Sequence, residues 1–220
     1  MNCYQTSWII RPSRETELSS VSQIFLQGFA DSVNHYVGGS SAGIEQALED
    51  VFAAILECQP QSFLVANAKG KIGGYIIAIP DMQELWRYVV LQGHLGKWAK
   101  RWLQGEYGIG LLQVLALALN KLGFALSQIR LNAKTPKLRG HTAQILSIAV
   151  HPSYRGQGIG HALLQKAIAY LATTPATLVK LEVRPDNVPA RRLYESMGFQ
   201  AISTSEDSQG QWIVMLRSLR

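Results

Sequence analysis

The chain has 220 residues, 47% of them hydrophobic, which is enough for one domain with a real core and excludes a disordered segment. Its net charge is +6, yet residues 84–141 alone hold nine Lys and Arg against two Glu, so the basic character belongs to one segment and not to the whole surface. The start has no apolar leader, and neither the two cysteines (Cys3, Cys58) nor the five histidines have metal-ligand spacing, so the expectation is a cytoplasmic, metal-free protein with reduced thiols.

In chain order, Trp8-Ile9-Ile10 reads as a short strand stopped near Pro12. Residues 16–30 place Leu18, Val21, Ile24, Phe25 and Phe29 at helical spacing, and residues 44–57 repeat the pattern with Ile44, Leu48, Val51, Phe52 and Ile55. The stretch between them, DSVNHYVGGSSAG at 31–43, has the Gly, Ser and Asn content of a loop. SFLVANA (62–68) and KIGGYIIAI (71–79) form two strand-like runs about a Lys-Gly turn, the pattern of a hairpin.

Residues 84–141 break this rhythm and read as a helical insertion. Trp86, Trp98 and Trp102 lie among basic residues, followed by IGLLQVLALALNKLGFAL at 109–126. Gln113, Asn120 and Lys121 interrupt that run, while a span needs about 20 predominantly apolar residues. It reads as a buried helix or as one lying on a membrane surface.

Beyond the insertion, AQILSIAV (143–150) has the near-continuous apolar content of a central strand covered on both faces. A helical pattern follows from Gly158 to Ala172, then the alternating LVKLEV (178–183), a short helix from Pro189 to Met197, and two closing strands at Phe199–Ile202 and Trp212–Leu216. Strand, helix, strand from 143 to 184 is a crossover unit, so those two strands are expected to be parallel.

Between the first of them and its helix stands VHPSYRGQGIGHALL (150–164). Its glycines, at 156, 158 and 160, fit neither G-x-G-x-x-G, because the last position is His161, nor G-x-x-x-x-G-K-[ST]. The strand–glycine–helix layout still places backbone N–H groups at a positive helix terminus, which favours an anion, and Arg155 can add a charge-assisted contact. A ligand-free tight turn is the other reading of the spacing.

Arg155-x-x-Gly158-x-Gly160 resembles the R/Q-x-x-G-x-G/A signature of the GNAT superfamily of N-acetyltransferases. LEVRPDNVPARRLYESMGF (181–199) is similar to that family's asparagine, tyrosine and Gly-Phe segment, and in particular to the branch that acetylates protein N-terminal amines, ribosomal-protein alanine among them. The resemblance covers about 143–203 and, more weakly, the opening strand and helix. It implies one α/β (α+β) domain over 1–220: a mixed, mostly antiparallel sheet with flanking helices and a splayed parallel strand pair, the insertion at about 84–141 added.

The resemblance further implies acetyl-CoA as acyl donor and a primary amine as acceptor, of a small molecule or a protein N-terminus. Arg155, Gly156, Gln157, Gly158, Ile159, Gly160 and His161 would hold the pyrophosphate, the backbone of Ile148, Ala149 and Val150 would pair with the pantetheine arm, and Asn187 would contact it too. Tyr194 falls in the general-acid position, with packing of the short helix as its other reading. The 143–150 strand lacks the carboxylate many members carry, so Glu182 stands as base, or is a carboxylate paired with Lys180 or Arg184 while a water relay serves instead. His35 and Tyr36 fall where the family builds its acceptor site.

The insertion resembles nothing familiar. It suits a cover over the acceptor site, a homodimer contact, or peripheral membrane contact through 84–126; nucleic acid is not expected, because no binding motif accompanies the charge. The alternative function is a non-catalytic acyl-CoA-binding module that docks through this segment.

Overall fold

The computed structural model describes residues 8–37, 41–108, 110 and 141–220. Cys3, most of the 109–126 run, the basic residues from Lys121 to Arg139 and the side chain of Tyr36 lie outside the described part.

Seven strands form one sheet in the order β1-β2-β3-β4-β5-β7-β6. β1 (Ile9–Pro12) is an edge strand, a position that tolerates the missing N–H of Pro12. β2 (Phe63–Ala68) and β3 (Lys71–Ile79) make the expected hairpin. Its turn residues Lys69 and Gly70 have φ of 50° and 87°, the left-handed pair that matches strand twist.

β4 (Thr142–Val150) pairs antiparallel with β3 and parallel with β5 (Leu178–Val183). β7 (Gly210–Ser218) follows β5, and β6 (Gln200–Asp207) closes the far edge, both pairings antiparallel. The mixed sheet with one parallel pair is the architecture the resemblance implies.

Helices cover both faces. On one, α6 (Ile159–Leu171) and α7 (Val188–Ser196) bury Ile159, Leu163, Leu164 and Tyr194 against Ile76, Ile145 and Leu181. On the other, α1 (Leu18–Gly28) and α3 (Ser41–Cys58) bury Val21, Ile24 and Phe52 against Phe63, Tyr75 and Ile77. β3 lies under both layers, which is why its sequence reads as an almost unbroken apolar run.

The stretch 31–43, expected to be a loop, instead contains a helix, α2 (Ala30–Val37). Phe29 leaves helical geometry (φ −123°, ψ 28°) and so ends α1, but residues 30–37 contain no Gly or Pro to prevent a second start. Asp31 suits the positive end of the new helix, and contacts to the distant β6–β7 turn hold it. Turn-favouring residues are overridden there by tertiary contact.

β4 also departs from the expectation of full cover. Ala143 and Ile145 are buried, whereas Ile148, Ala149 and Val150 are only half-buried. Its parallel ladder with β5 consists of Thr142, Ala143 and Gln144 against Leu178, Val179 and Lys180, and then the strands part. In the same place the β3 register shifts, so that Ile77 faces Ser147, Ala78 faces Ile145, and Leu146 has no partner. An extra residue of this kind bends its strand, here away from β5.

The described part of the insertion is a helical pair, α4 (Met82–Leu91) and α5 (His94–Leu103). Asp81 caps α4, accepting from Gln83 N–H at 2.7 Å. Arg101 of α5 grips both carboxylate oxygens of Asp50 on α3 at 2.6 and 2.7 Å and reaches Glu106 at 2.6 Å, and the Tyr107 hydroxyl donates to the same Asp50. The inner side of the pair is thereby tied to α3.

Candidate active site

Where β4 and β5 part, the sheet opens into a cleft of about 800 Å³. Its walls are β4 from Gln144 to Ile148, β5 from Leu181 to Arg184, the start of α7, α2, and the β6–β7 turn. The backbone of β4 is the reactive edge. Ladder groups alternate in direction, and His151 N–H donates to Gly73 O across β3 at 2.9 Å. Ala149 therefore turns its amide and carbonyl to β3, while Ile148 and Val150 turn theirs into the gap. Of the three residues expected to pair with a ligand arm, these two point that way, although the Val150 carbonyl already accepts from Arg155 Nε at 3.2 Å.

Past Val150, the Pro152–Tyr154 turn is pinned by His151, whose Nδ1 accepts from Ser153 N–H at 3.2 Å. Gly156 and Gly158 have φ of 74° and 79°, a region that disfavours side chains, and a Cβ at either would touch nothing. These glycines answer to backbone conformation; Gly160, whose φ is not left-handed, makes only ordinary contacts. The first intrahelical bond of α6 is Ala162 N–H to Gly158 O, so the amides of Ile159, Gly160 and His161 begin the helix unreceived. That is an anion cradle.

Each remaining residue of the loop has a distinct place. Arg155 Nε donates to Val150 O at 3.2 Å, holding its guanidinium at the mouth of the loop, and Gln157 Nε2 donates to Ser153 O at 3.3 Å. Ile159 is 1% exposed, so its side chain anchors the helix and only its amide faces the loop. His161 is exposed on the first turn. Asn187 caps α7 by accepting from Ala190 N–H at 3.2 Å, which leaves its amide nitrogen to donate toward the cleft.

Tyr194 lines the same cleft at 6% exposure, its ring 6.0 Å from that of Phe199. Burial alone pushes its phenol up to about 12, and its hydroxyl has no hydrogen-bond partner among the described residues. A buried hydroxyl facing a cleft without a protein partner is a donor waiting for a ligand. Glu182 also lines the cleft, with Lys180 Nζ 3.3 Å from its carboxylate, so the ion pair considered from sequence is present.

At the far end of the cleft His35 lines the wall as expected, but its partners there were not legible in the sequence. Ser32 of α2 donates to Gln209 Oε1 at 2.7 Å, and His35 Nε2 lies 3.3 Å from Ser208 Oγ. These two contacts bridge α2 to the β6–β7 turn across the cleft. Arg184 supports the turn, donating to Gln209 O at 2.5 Å with its guanidinium 5.3 Å from the Trp212 ring centroid. Only the D-S-Q-G turn between two alternating strands was a local signal for Asp207 to Gln209; nothing local joins it to His35.

A family model described as the acetyltransferase (GNAT) family matches residues 113–199. The [ribosomal protein bS18]-alanine N-acetyltransferase of Salmonella typhimurium is 30% identical over 125 residues, 56% of this chain and 78% of that protein. The enzyme of that description in Escherichia coli K12 is 31% identical over 113 residues, 51% of this chain and 70% of its own length. The chain belongs to the GNAT acetyltransferase family. Salmonella typhimurium yncA, solved with its cofactor acetyl-CoA, shares the GNAT fold at TM-score 0.54 and 17% identity, covering 97% of this chain and 95% of its own. The parted parallel strands, the glycine loop and the cleft thus sit on a GNAT sheet.

Proposed function

We propose that this GNAT enzyme transfers the acetyl group of acetyl-CoA to the α-amine of a peptide N-terminus. The observation that carries the reading is the unpartnered Tyr194 hydroxyl, buried in the cleft where β4 and β5 part. The site suits the donor: the amides at the start of α6 and Arg155 would take the pyrophosphate, and the outward backbone groups of Ile148 and Val150 would pair with the pantetheine arm, beside Asn187.

Acetyl-CoA supplies a thioester that an amine can attack. Glu182 accepts the proton of the incoming ammonium, directly or through water. The Ile148 N–H would meet the carbonyl oxygen that gains charge, and as part of the strand it needs no reorganisation. As the C–N bond forms and the C–S bond breaks, Tyr194 gives its proton to the departing thiolate and is restored by the second proton of the attacking nitrogen. Its raised pKa keeps the phenol protonated at neutral pH.

Two features support an N-terminal amine. The bridge from α2 to the β6–β7 turn closes over the acceptor end, which suits a chain terminus. The cleft also presents Asp31, Glu182, Asp186 and Asp207 against Arg184, which favours a cationic acceptor despite the basic insertion. An α-amine with pKa near 8 is about 10% neutral at pH 7, against about 0.04% for a lysine amine. Acetyl-CoA and the free thiol of Cys58 suit the cytoplasm. A non-catalytic acyl-CoA-binding module would have no use for the buried phenol.

Thiol release from acetyl-CoA, with mass spectrometry of the product, tests the proposal on peptides with a free N-terminus and on blocked peptides with lysine. Acetylation of the free α-amine is expected; modification of lysine alone would sink it. Glu182→Gln is expected to lower kcat/KM at pH 7 about a hundredfold. The defect should shrink above about pH 8, where the α-amine is neutral unaided.

A further inference from the structure

We propose that the outer face of the α4–α5 pair docks on an anionic lipid bilayer surface. Five large apolar side chains stand out on these two helices: Trp86 (58% exposed), Val90, Leu91 (73%), Leu95 and Leu103 (77%). Trp86 and Val90 lie four residues apart on α4, and Leu95, Ala99 and Leu103 form a stripe at the same spacing on α5. Arg87, Lys97 and Lys100 flank them, all exposed and none paired with a carboxylate among the described residues. Tryptophan and leucine bordered by lysine and arginine is the arrangement that lies in a headgroup region.

The opposite side of the pair is fixed to the protein. Arg101 holds Asp50, Tyr88 OH donates to Glu57 at 3.3 Å, and buried His94 lies 3.4 Å from Glu57. The apolar face is therefore presented by a tethered scaffold, so little ordering is needed on contact. Among the described residues no helix is long and apolar enough to cross a membrane. Charge selects the occupant. In an isologous dimer the same arginine and lysines would face their own copies, whereas an anionic leaflet complements them.

The test is co-sedimentation of the full chain with phosphatidylcholine vesicles, with and without phosphatidylglycerol, at low and high salt. Binding is expected only to the anionic vesicles, with release by salt. Each basic residue near such a surface is worth about fivefold in binding, so Arg87→Glu, Lys97→Glu and Lys100→Glu together should weaken it at least a hundredfold, roughly. Leu103→Asp should weaken it about tenfold or more. Circular dichroism and acetyl transfer to a soluble peptide should stay unchanged in these variants, which separates this reading from the catalytic one. Absence of the wild type from anionic pellets, equal pelleting with neutral vesicles, or full binding by the triple variant would overturn it. So would a solution dimer that Leu103→Asp splits without any vesicle binding.

Discussion

Tyr194→Phe separates a catalytic phenol from a packing one. The residue is only 6% exposed, and its hydroxyl makes no bond among the described residues. Removing it leaves every ring contact and takes away a hydroxyl that opens on the cleft and makes no protein bond, so stability should hold or rise by up to about 1 kcal/mol. For a chain of this size that is a Tm gain of about 3 °C in a thermal scan. Over the same substitution kcat should fall a hundredfold or more, roughly, with acetyl-CoA affinity unchanged by calorimetry.

The pH dependence carries the same signature. A phenol held at about 12, above its ordinary value of 10, favours the folded state in its neutral form. Its contribution is complete below pH 10 and is lost as pH rises through 12. Alkaline titration of unfolding should therefore favour the phenylalanine variant increasingly above pH 10, while the wild-type rate shows no descending limb from this group at neutral pH. A drop in Tm with kcat intact would refute the argument, because the hydroxyl would then be a structural group with a partner.

The glycine loop makes a paired prediction. Gly158→Ala forces a side chain into left-handed backbone at about 1–2 kcal/mol, and acetyl-CoA binding should weaken at least tenfold, roughly, as the adjoining amides turn. Gly160→Ala meets only Leu193 at 3.5 Å and Val150 at 3.7 Å, so chemical denaturation should show a gain of up to about 1 kcal/mol with binding kept. Asp50→Ala leaves Arg101 and Tyr107 without their shared acceptor and should cost about 1–3 kcal/mol. Hydrogen exchange should place the loss in α5; protection equal to wild type there would contradict the tether.

Local chemistry already carries much of this protein. Periodicity marks α1, α3 and α6, the Lys-Gly turn marks the β2–β3 hairpin, and the Arg155 to His161 spacing with Asn187 and Tyr194 downstream carries the family resemblance. Those features depend on neighbours within a turn or a strand, and so survive in a linear reading. Three others do not. The parting of β4 from β5 depends on an unmatched Leu146, a fact of pairing with β3 that no property of leucine announces. The direction of the Ile148 and Val150 amides depends on which β3 carbonyl His151 takes. The acceptor end depends on α2, whose Asp, Ser and Asn favour a turn locally, but whose Ser32 and His35 meet Gln209 and Ser208 more than 170 residues away. Such contacts become favourable only once the sheet has brought their elements together, and tertiary structure alone could decide them.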